Sequence, residues 1–186
     1  MLETELRLLA LSGSQRQAST NTAMLQALSE LLPPAVRYGL FDGIGELPIF
    51  NPDMEGDETP ESVRKLASAI ECADGLIVAS PEYVHGIPGG LKNALDWLVS
   101  RPEIVHKPIL LLHASHRGDI ALKALREVLA TMSSRLVTEP ILRVPLLGQS
   151  PEQVHALVTV GEHRQRLETA LRTFLDDIAS SLSLPP

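Results

Sequence analysis

Cysteine, aromatic residues and long apolar runs are all scarce in this chain. The single cysteine, Cys72, among 186 residues rules out an internal disulfide and fits a reducing compartment; its place in a helix-like stretch predicts a buried, inert thiol. Phe, Tyr and Trp make up 3% of residues, so the core must be built from Leu, Ile, Val and Ala. No apolar run approaches the ~18 residues that span a bilayer, and Met1-Leu-Glu-Thr-Glu-Leu-Arg7 places acids where a secretion signal carries bases. The expectation is a cytoplasmic protein with no membrane partner. Basic side chains are the minority, 16 against 23 acidic for a net charge of −7, and no Lys/Arg cluster appears. That argues against a nucleic-acid partner. Without a linker-like stretch, a repeat or a low-complexity segment, one domain over residues 1–186 is expected.

Apolar runs bounded by turn residues lie at Leu6 to Leu11, Val36 to Phe41, Gly75 to Ala79, Pro108 to Ala114 and Pro140 to Val144. Helical patterns fill the intervals: Asn21 to Leu32, Pro60 to Ala73, Gly89 to Ser100, Asp119 to Ser134, and Pro151 to Leu182 with a break near Gly161. Such alternation, with the first, third and fourth strands continuously apolar, predicts a parallel sheet covered by helices on both faces. Thr59-Pro60-Glu61 and Ser150-Pro-Glu-Gln153 read as helix starts, the second as a capping box. The polar loop from Gly43 to Thr59 is longer than a connector requires, and long loops at strand ends often border a site.

Ligands of open parallel sheets sit at the carboxyl ends of the strands, and the turn after the first strand is the usual phosphate seat. Here that turn reads Ser12-Gly-Ser-Gln-Arg-Gln-Ala-Ser-Thr-Asn21. Gly13 permits close backbone approach, Ser14, Ser19 and Asn21 offer side-chain hydrogen bonds, Arg16 adds a charged fork, and a helix start presents free N–H groups. No acidic side chain occurs between Glu5 and Glu30. The plain alternative is a turn with an N-cap, which the same residue types make. Neither Gly-Lys-Ser/Thr nor G-x-G-x-x-G is present, and no acidic pair follows the first strand to hold magnesium. A mononucleotide phosphate bound without metal remains.

The turn after the third strand is Ser80-Pro-Glu-Tyr-Val-His-Gly-Ile-Pro-Gly-Gly90, leading into Leu91-Lys-Asn-Ala-Leu-Asp-Trp97. Its prolines and glycines make a tight turn whose amides can meet the edge of a planar heterocycle, with Tyr83 beside it. Packing is the competing reading for Tyr83 and Trp97. The two turns flank the switch point of a 2-1-3-4-5 sheet and so define one cleft with a phosphate end and a ring end.

With Gly13-Ser14-x-Arg16-x-x-Ser19-x-Asn21 and Ser80-Pro-Glu-Tyr-x-x-Gly-Ile-Pro-Gly-x-Leu-Lys-Asn-Ala-Leu-Asp-Trp97, roughly the first 135 residues resemble the NAD(P)H-dependent FMN reductases, which include quinone, chromate and azo reductases. The resemblance implies a flavodoxin-like α/β sandwich of five parallel strands. It further implies FMN as cofactor, NADPH or NADH as donor, a small-molecule acceptor such as a quinone, and a homodimer or homotetramer. Ser14, Arg16, Ser19 and Asn21 would hold the FMN phosphate; Pro81, Glu82 and Tyr83 would lie along the isoalloxazine through main-chain contacts, with Ser115 from the turn after the fourth strand. Two positions depart from the family's pattern: Val84 where asparagine is common, and Ser115-His-Arg-Gly118 where Ser-Pro-Gly-Gly is usual. Arg117 there could favour an anionic substrate, steady a reduced flavin or narrow the pocket.

No side chain is assigned as a catalytic acid or base, because a bound flavin carries the chemistry. His113 and His116 lack a third ligand at a recognisable spacing, so no metal site is expected. Glu82 and Asp96 lack a partner nucleophile, which disfavours hydrolysis. The rival reading is a non-enzymatic flavodoxin-like electron carrier or a degenerate nucleotide-binding module. The Leu91/Leu95/Leu98 stripe with Trp97 is either a subunit interface or burial on the chain's own sheet.

Overall fold

Residues 5–132, 134–136 and 142–182 are described by the computed structural model. Strands β1 (Leu6–Ser12), β2 (Val36–Phe41), β3 (Gly75–Ala79), β4 (Pro108–His113), β5 (Arg135–Leu136) and β6 (Leu142–Arg143) alternate with α1 (Thr20–Ala27), α2 (Glu61–Glu71), α3 (Gly89–Leu98) and α4 (Asp119–Thr131), followed by α5 (Pro151–Thr159) and α6 (Gly161–Leu182). All pairings are parallel and the order is β2-β1-β3-β4-β5. The fold is flavodoxin-like with the predicted strand order. The edge beside β4 is shared by two short segments: β5 pairs at Pro108 and Ile109, β6 at Leu112 and His113. Of the expected strand Pro140 to Val144, Pro140 and Ile141 lie outside the described residues, as do Ser133 and the first four residues of the N-terminal segment.

Period-two alternation distributes the aliphatics between two cores. Leu8, Ala10, Ile77, Ala79, Leu110 and Leu112 face α1, α5 and α6, while Leu11, Leu76, Val78, Ile109 and Leu111 face α2, α3 and α4. Strands β3 and β4 are buried throughout, whereas β1 exposes Arg7 near its start. Leu91, Leu95, Leu98 and Trp97 all point into the second core, so this stripe is burial on the chain's own sheet and offers no subunit interface.

The break at Gly161 and the Ser150/Gln153 capping box occur as expected. Two local expectations are corrected. Thr59 does not cap α2: Pro60 occupies the N-cap position, and the Thr59 hydroxyl donates to the Gly56 carbonyl at 2.8 Å. Cys72 is exposed because it falls at the C-cap of α2, beside Ile70 and Ala73, which take the buried positions.

Candidate active site

At the carboxyl ends of β1, β3 and β4 lies a cavity of about 710 Å³, and Ser14, Arg16, Ser19, Asn21, Pro81, Glu82, Tyr83 and Ser115 all line it. Its volume falls in the range of roughly 300–1,000 Å³ typical of small-molecule sites. The structure brings these eight residues from the two turns and the loop after β4 to one cavity. What each does locally differs from its sequence reading in instructive ways.

The β1–α1 turn is folded on its own polar side chains. Ser12 Oγ and Thr22 Oγ1 lie 2.7 Å apart, and Ser19 caps α1 by accepting from the Thr22 N–H at 3.2 Å. Asn21 is buried, and its Oδ1 accepts from the Ala114 N–H at 3.4 Å, which binds α1 to the end of β4. Gly13 is required for packing: a Cβ there would stand 2.6 Å from Ser80 Oγ, so the close approach is to the β3 turn. Thr20 and Asn21 occupy the first turn of α1, where backbone N–H groups have no partner within the helix. Among the described residues the Arg16 guanidinium has no hydrogen-bond or ion-pair partner. Free amides, a helix dipole and a guanidinium unpaired among the described residues, in an acid-free stretch, are the kind of donors a phosphate group requires.

The β3 turn doubles back as a tight hairpin in which Tyr83 and Gly86 exchange backbone hydrogen bonds. Val84 and His85 at its tip have φ of 50° and 57°, the left-handed region favoured by glycine and asparagine. Tyr83 Oη lies 3.3 Å from Ser14 Oγ, joining the ring end to the phosphate end. The Glu82 carboxylate turns away to α4, accepting from the Ala121 N–H at 2.9 Å and pairing with His85 at 3.4 Å. His113, fully buried, spans both turns: Nδ1 is 2.7 Å from the Ser80 carbonyl oxygen and Nε2 contacts that of Arg117. Ser115 Oγ accepts from the Arg117 N–H at 3.0 Å. Both His116 and Arg117 are exposed, but only Arg117 lines the cavity.

Reading the sequence missed a third wall, Leu147 to Pro151 with Gln153, at the N-terminus of α5. Its only signal was the capping box, which marks a helix start and says nothing of what the start faces. The loop after β2 also behaves differently from expectation. Asn93 Oδ1 accepts from the Phe50 N–H at 2.8 Å, Trp97 Nε1 donates to the Pro48 carbonyl at 2.7 Å, and the Phe50 and Trp97 rings meet edge to face at 5.1 Å. The Lys-Asn-Ala-Leu-Asp-Trp run therefore anchors that loop to α3. Its Ile44, Gly45, Leu47 and Ile49 border a second cavity of about 540 Å³ and are absent from the lining of the first. Asp96 pairs with Lys92 on the same helix. Among the described residues, no group of three or more His, Cys, Asp or Glu is placed to hold a metal.

Residues 6–145 match the family described as NADPH-dependent FMN reductase. The chain belongs to that family. A quinone reductase of Escherichia coli (strain K12) is 30% identical over 145 residues, covering 75% of this chain and 77% of the relative. An NAD(P)H-dependent FMN reductase of Pseudomonas aeruginosa is 37% identical over 116 residues, 61% of this chain and 62% of the relative. In structure, the flavoenzyme NAD(P)H:(acceptor) oxidoreductase from Paracoccus denitrificans superposes with a TM-score of 0.78 at 27% identity, over 94% of this chain and 98% of that one. This FMN reductase family member is thus an oxidoreductase that uses FMN with NAD(P)H as electron donor, and the cleft fits the group. Arg16 with the first turn of α1, the tight β3 turn and the half-exposed Tyr83 line one cavity of suitable size.

Proposed function

We propose that the chain is an NAD(P)H-dependent quinone reductase whose FMN lies in the cleft between the β1, β3 and β4 turns. One observation carries this reading: the eight residues identified from separate turns line a single cavity in a chain of this family. Arg16 and the first-turn amides of α1 hold the phosphate, with Ser14, Ser19 and Asn21 shaping the turn around it. Pro81, Glu82 and Tyr83 set the backbone against the ring edge, and Ser115 closes the opposite side.

FMN supplies the two-electron chemistry. The balance is NAD(P)H plus quinone plus one proton giving NAD(P)+ and hydroquinone, so the protein's work is positioning and charge. We assign no side chain as proton donor to the ring. One domain of 186 residues, acting in the cytoplasm as a homodimer or homotetramer, completes the proposal; no described helix is long and apolar enough to cross a membrane.

Purified protein loaded with FMN is assayed for NADPH oxidation with and without menadione. Oxidation that requires both FMN and the quinone supports the reading. Bound FMN that NADPH leaves oxidised would overturn it and favour the electron carrier.

A further inference from the structure

The β4–α4 turn carries an arginine that the rest of the protein holds ready and does not use. Both polar backbone groups of Arg117 are fixed: its N–H donates to Ser115 Oγ at 3.0 Å, and its carbonyl oxygen contacts Nε2 of the buried His113. The next residue, Gly118, turns the chain with φ of 102°, into α4. Arg117 lines the cavity, is exposed, and its guanidinium has no hydrogen-bond or ion-pair partner among the described residues.

The nearby carboxylates are committed elsewhere. Glu82, the one acidic residue among the described residues that line the cavity, is engaged by the Ala121 N–H and His85. Asp119, two residues along the chain, pairs with Arg143. A chain of net charge −7 thus presents two unpaired arginines and one already engaged carboxylate to the same cleft. Arg16 stands on the β1–α1 turn with the phosphate seat; Arg117 stands on the turn after β4. Beside them, Tyr83 and Leu147 line the cavity with about half of their surface exposed, at 47% and 59%, and give an aromatic ring something to lie on.

We propose that Arg117 is an anion seat for the diffusing redox partner, selecting a planar acceptor that carries an ionised oxygen group. The proposal deepens the quinone-reductase reading and rests on it. A planar guanidinium fork suits a carboxylate, enolate or phosphate oxygen, and a charge-assisted hydrogen bond in a partly enclosed cleft corresponds to about tenfold or more in affinity. The same oxygen chemistry occurs on the phosphates of NAD(P)H, so the test separates the two sources.

FMN-loaded wild type, Arg117→Gln and Arg117→Lys are compared with lawsone, an anion at neutral pH, and menadione, which is neutral. The ratio of kcat/KM for lawsone to that for menadione is expected to fall about tenfold or more in Arg117→Gln and partly recover in Arg117→Lys. A second readout is free of turnover: benzoate binding to the FMN-loaded protein, followed by perturbation of the flavin absorbance, is expected to exceed benzamide binding and to lose that preference in Arg117→Gln. If the ratio is unchanged and only KM for NADPH rises, the seat serves the donor, and selection of the acceptor is overturned. An equal loss for both quinones, or weaker FMN binding with an unchanged ratio, overturns the seat altogether. If wild type reduces neither quinone, the reductase reading fails first, and the benzoate preference still judges Arg117.

Discussion

The end of the cleft proposed to take the phosphate is made by one continuous stretch of chain, Ser12 to Asn21, whereas the end proposed to take the ring is assembled from two turns whose key contact, His113 to Ser80, joins residues 33 apart. At the first end, Ser19 caps its own helix and Ser12 meets Thr22, while Asn21 and Ser14 reach out to the Ala114 N–H and to Tyr83. At the second, local contacts close each turn, Tyr83 with Gly86 and Ser115 with Arg117, but the contacts that join the turns cross between elements, from His113 to the Ser80 carbonyl and from Glu82 to the start of α4. A local motif can be read from residue types at short spacing. An assembled site depends on which strands become neighbours, and perturbing it should disturb folding as well as binding.

The largest expected effect strikes that assembled end. In Gly118→Ala, the new Cβ would lie 2.6 Å from His113 Nε2 at a backbone φ of 102°. Strain and overpacking together should cost about 2–4 kcal/mol, lowering the thermal midpoint by several degrees and weakening FMN together with it. Urea unfolding with and without FMN measures both losses. If stability stayed within experimental error, the His113 clamp would be packing without consequence.

Arg16→Ala should show the opposite signature at the local end. With no side-chain partner to lose among the described residues, the variant should keep its unfolding midpoint while the FMN dissociation constant rises roughly 10–100-fold, as removal of a charged hydrogen-bond donor implies. A fluorescence titration gives the constant and a melt gives the midpoint. Loss of stability comparable to that of Gly118→Ala would erase the contrast between the two ends.

What the sequence revealed follows the same division. Strands β3 and β4 are legible because burial on both faces leaves an unbroken apolar run, and the break at Gly161 because a positive φ of 74° suits glycine. Arg135–Leu136 is too short to show a period, and its pairing to Pro108 and Ile109 is visible only in three dimensions. Cys72 was misread because helix periodicity fades at a C-cap, and Thr59 because its hydroxyl had a closer carbonyl to bond. Asn93 and Trp97 stand inside a functional motif but hold the loop after β2, a role decided by Pro48 and Phe50 more than forty positions away. The wall at Leu147 to Pro151 carries no charged residue, and its Ser150 reads as the cap of α5.

A smaller, favourable effect is expected at the hairpin tip. Val84 is fully exposed with φ of 50°, a costly conformation for a β-branched residue. Val84→Asn should raise stability by about 0.5–1 kcal/mol, read as a higher denaturation midpoint with an unchanged slope. A lower midpoint would mean that the valine makes contacts that repay its strain.

The smallest effect lies far from the cleft and serves as a control. Burial alone would push the Glu103 carboxyl up, but the Arg101 hydrogen bond, a backbone N–H and the Arg101 charge outweigh it and hold the group below its ordinary value. A carboxylate depressed in the folded state adds stability above the unfolded value of 4.5, and that stability is lost as pH falls through the lower folded value. Glu103→Gln should therefore cost under about 1 kcal/mol at neutral pH and flatten the acid limb of the stability curve below about pH 4.5, with FMN binding untouched. An unchanged acid limb would remove Glu103 from the account.

The central claim is that both ends belong to one flavin cleft, with Arg16 and α1 holding a phosphate. Side-by-side titration of the flavin-free protein with FMN and with riboflavin tests it directly. The account predicts saturable FMN binding at micromolar or tighter concentration, with riboflavin roughly a hundredfold weaker, because only FMN carries the anion that the β1–α1 turn is built to take. Equal affinity for the two, or no FMN binding at all, would contradict it.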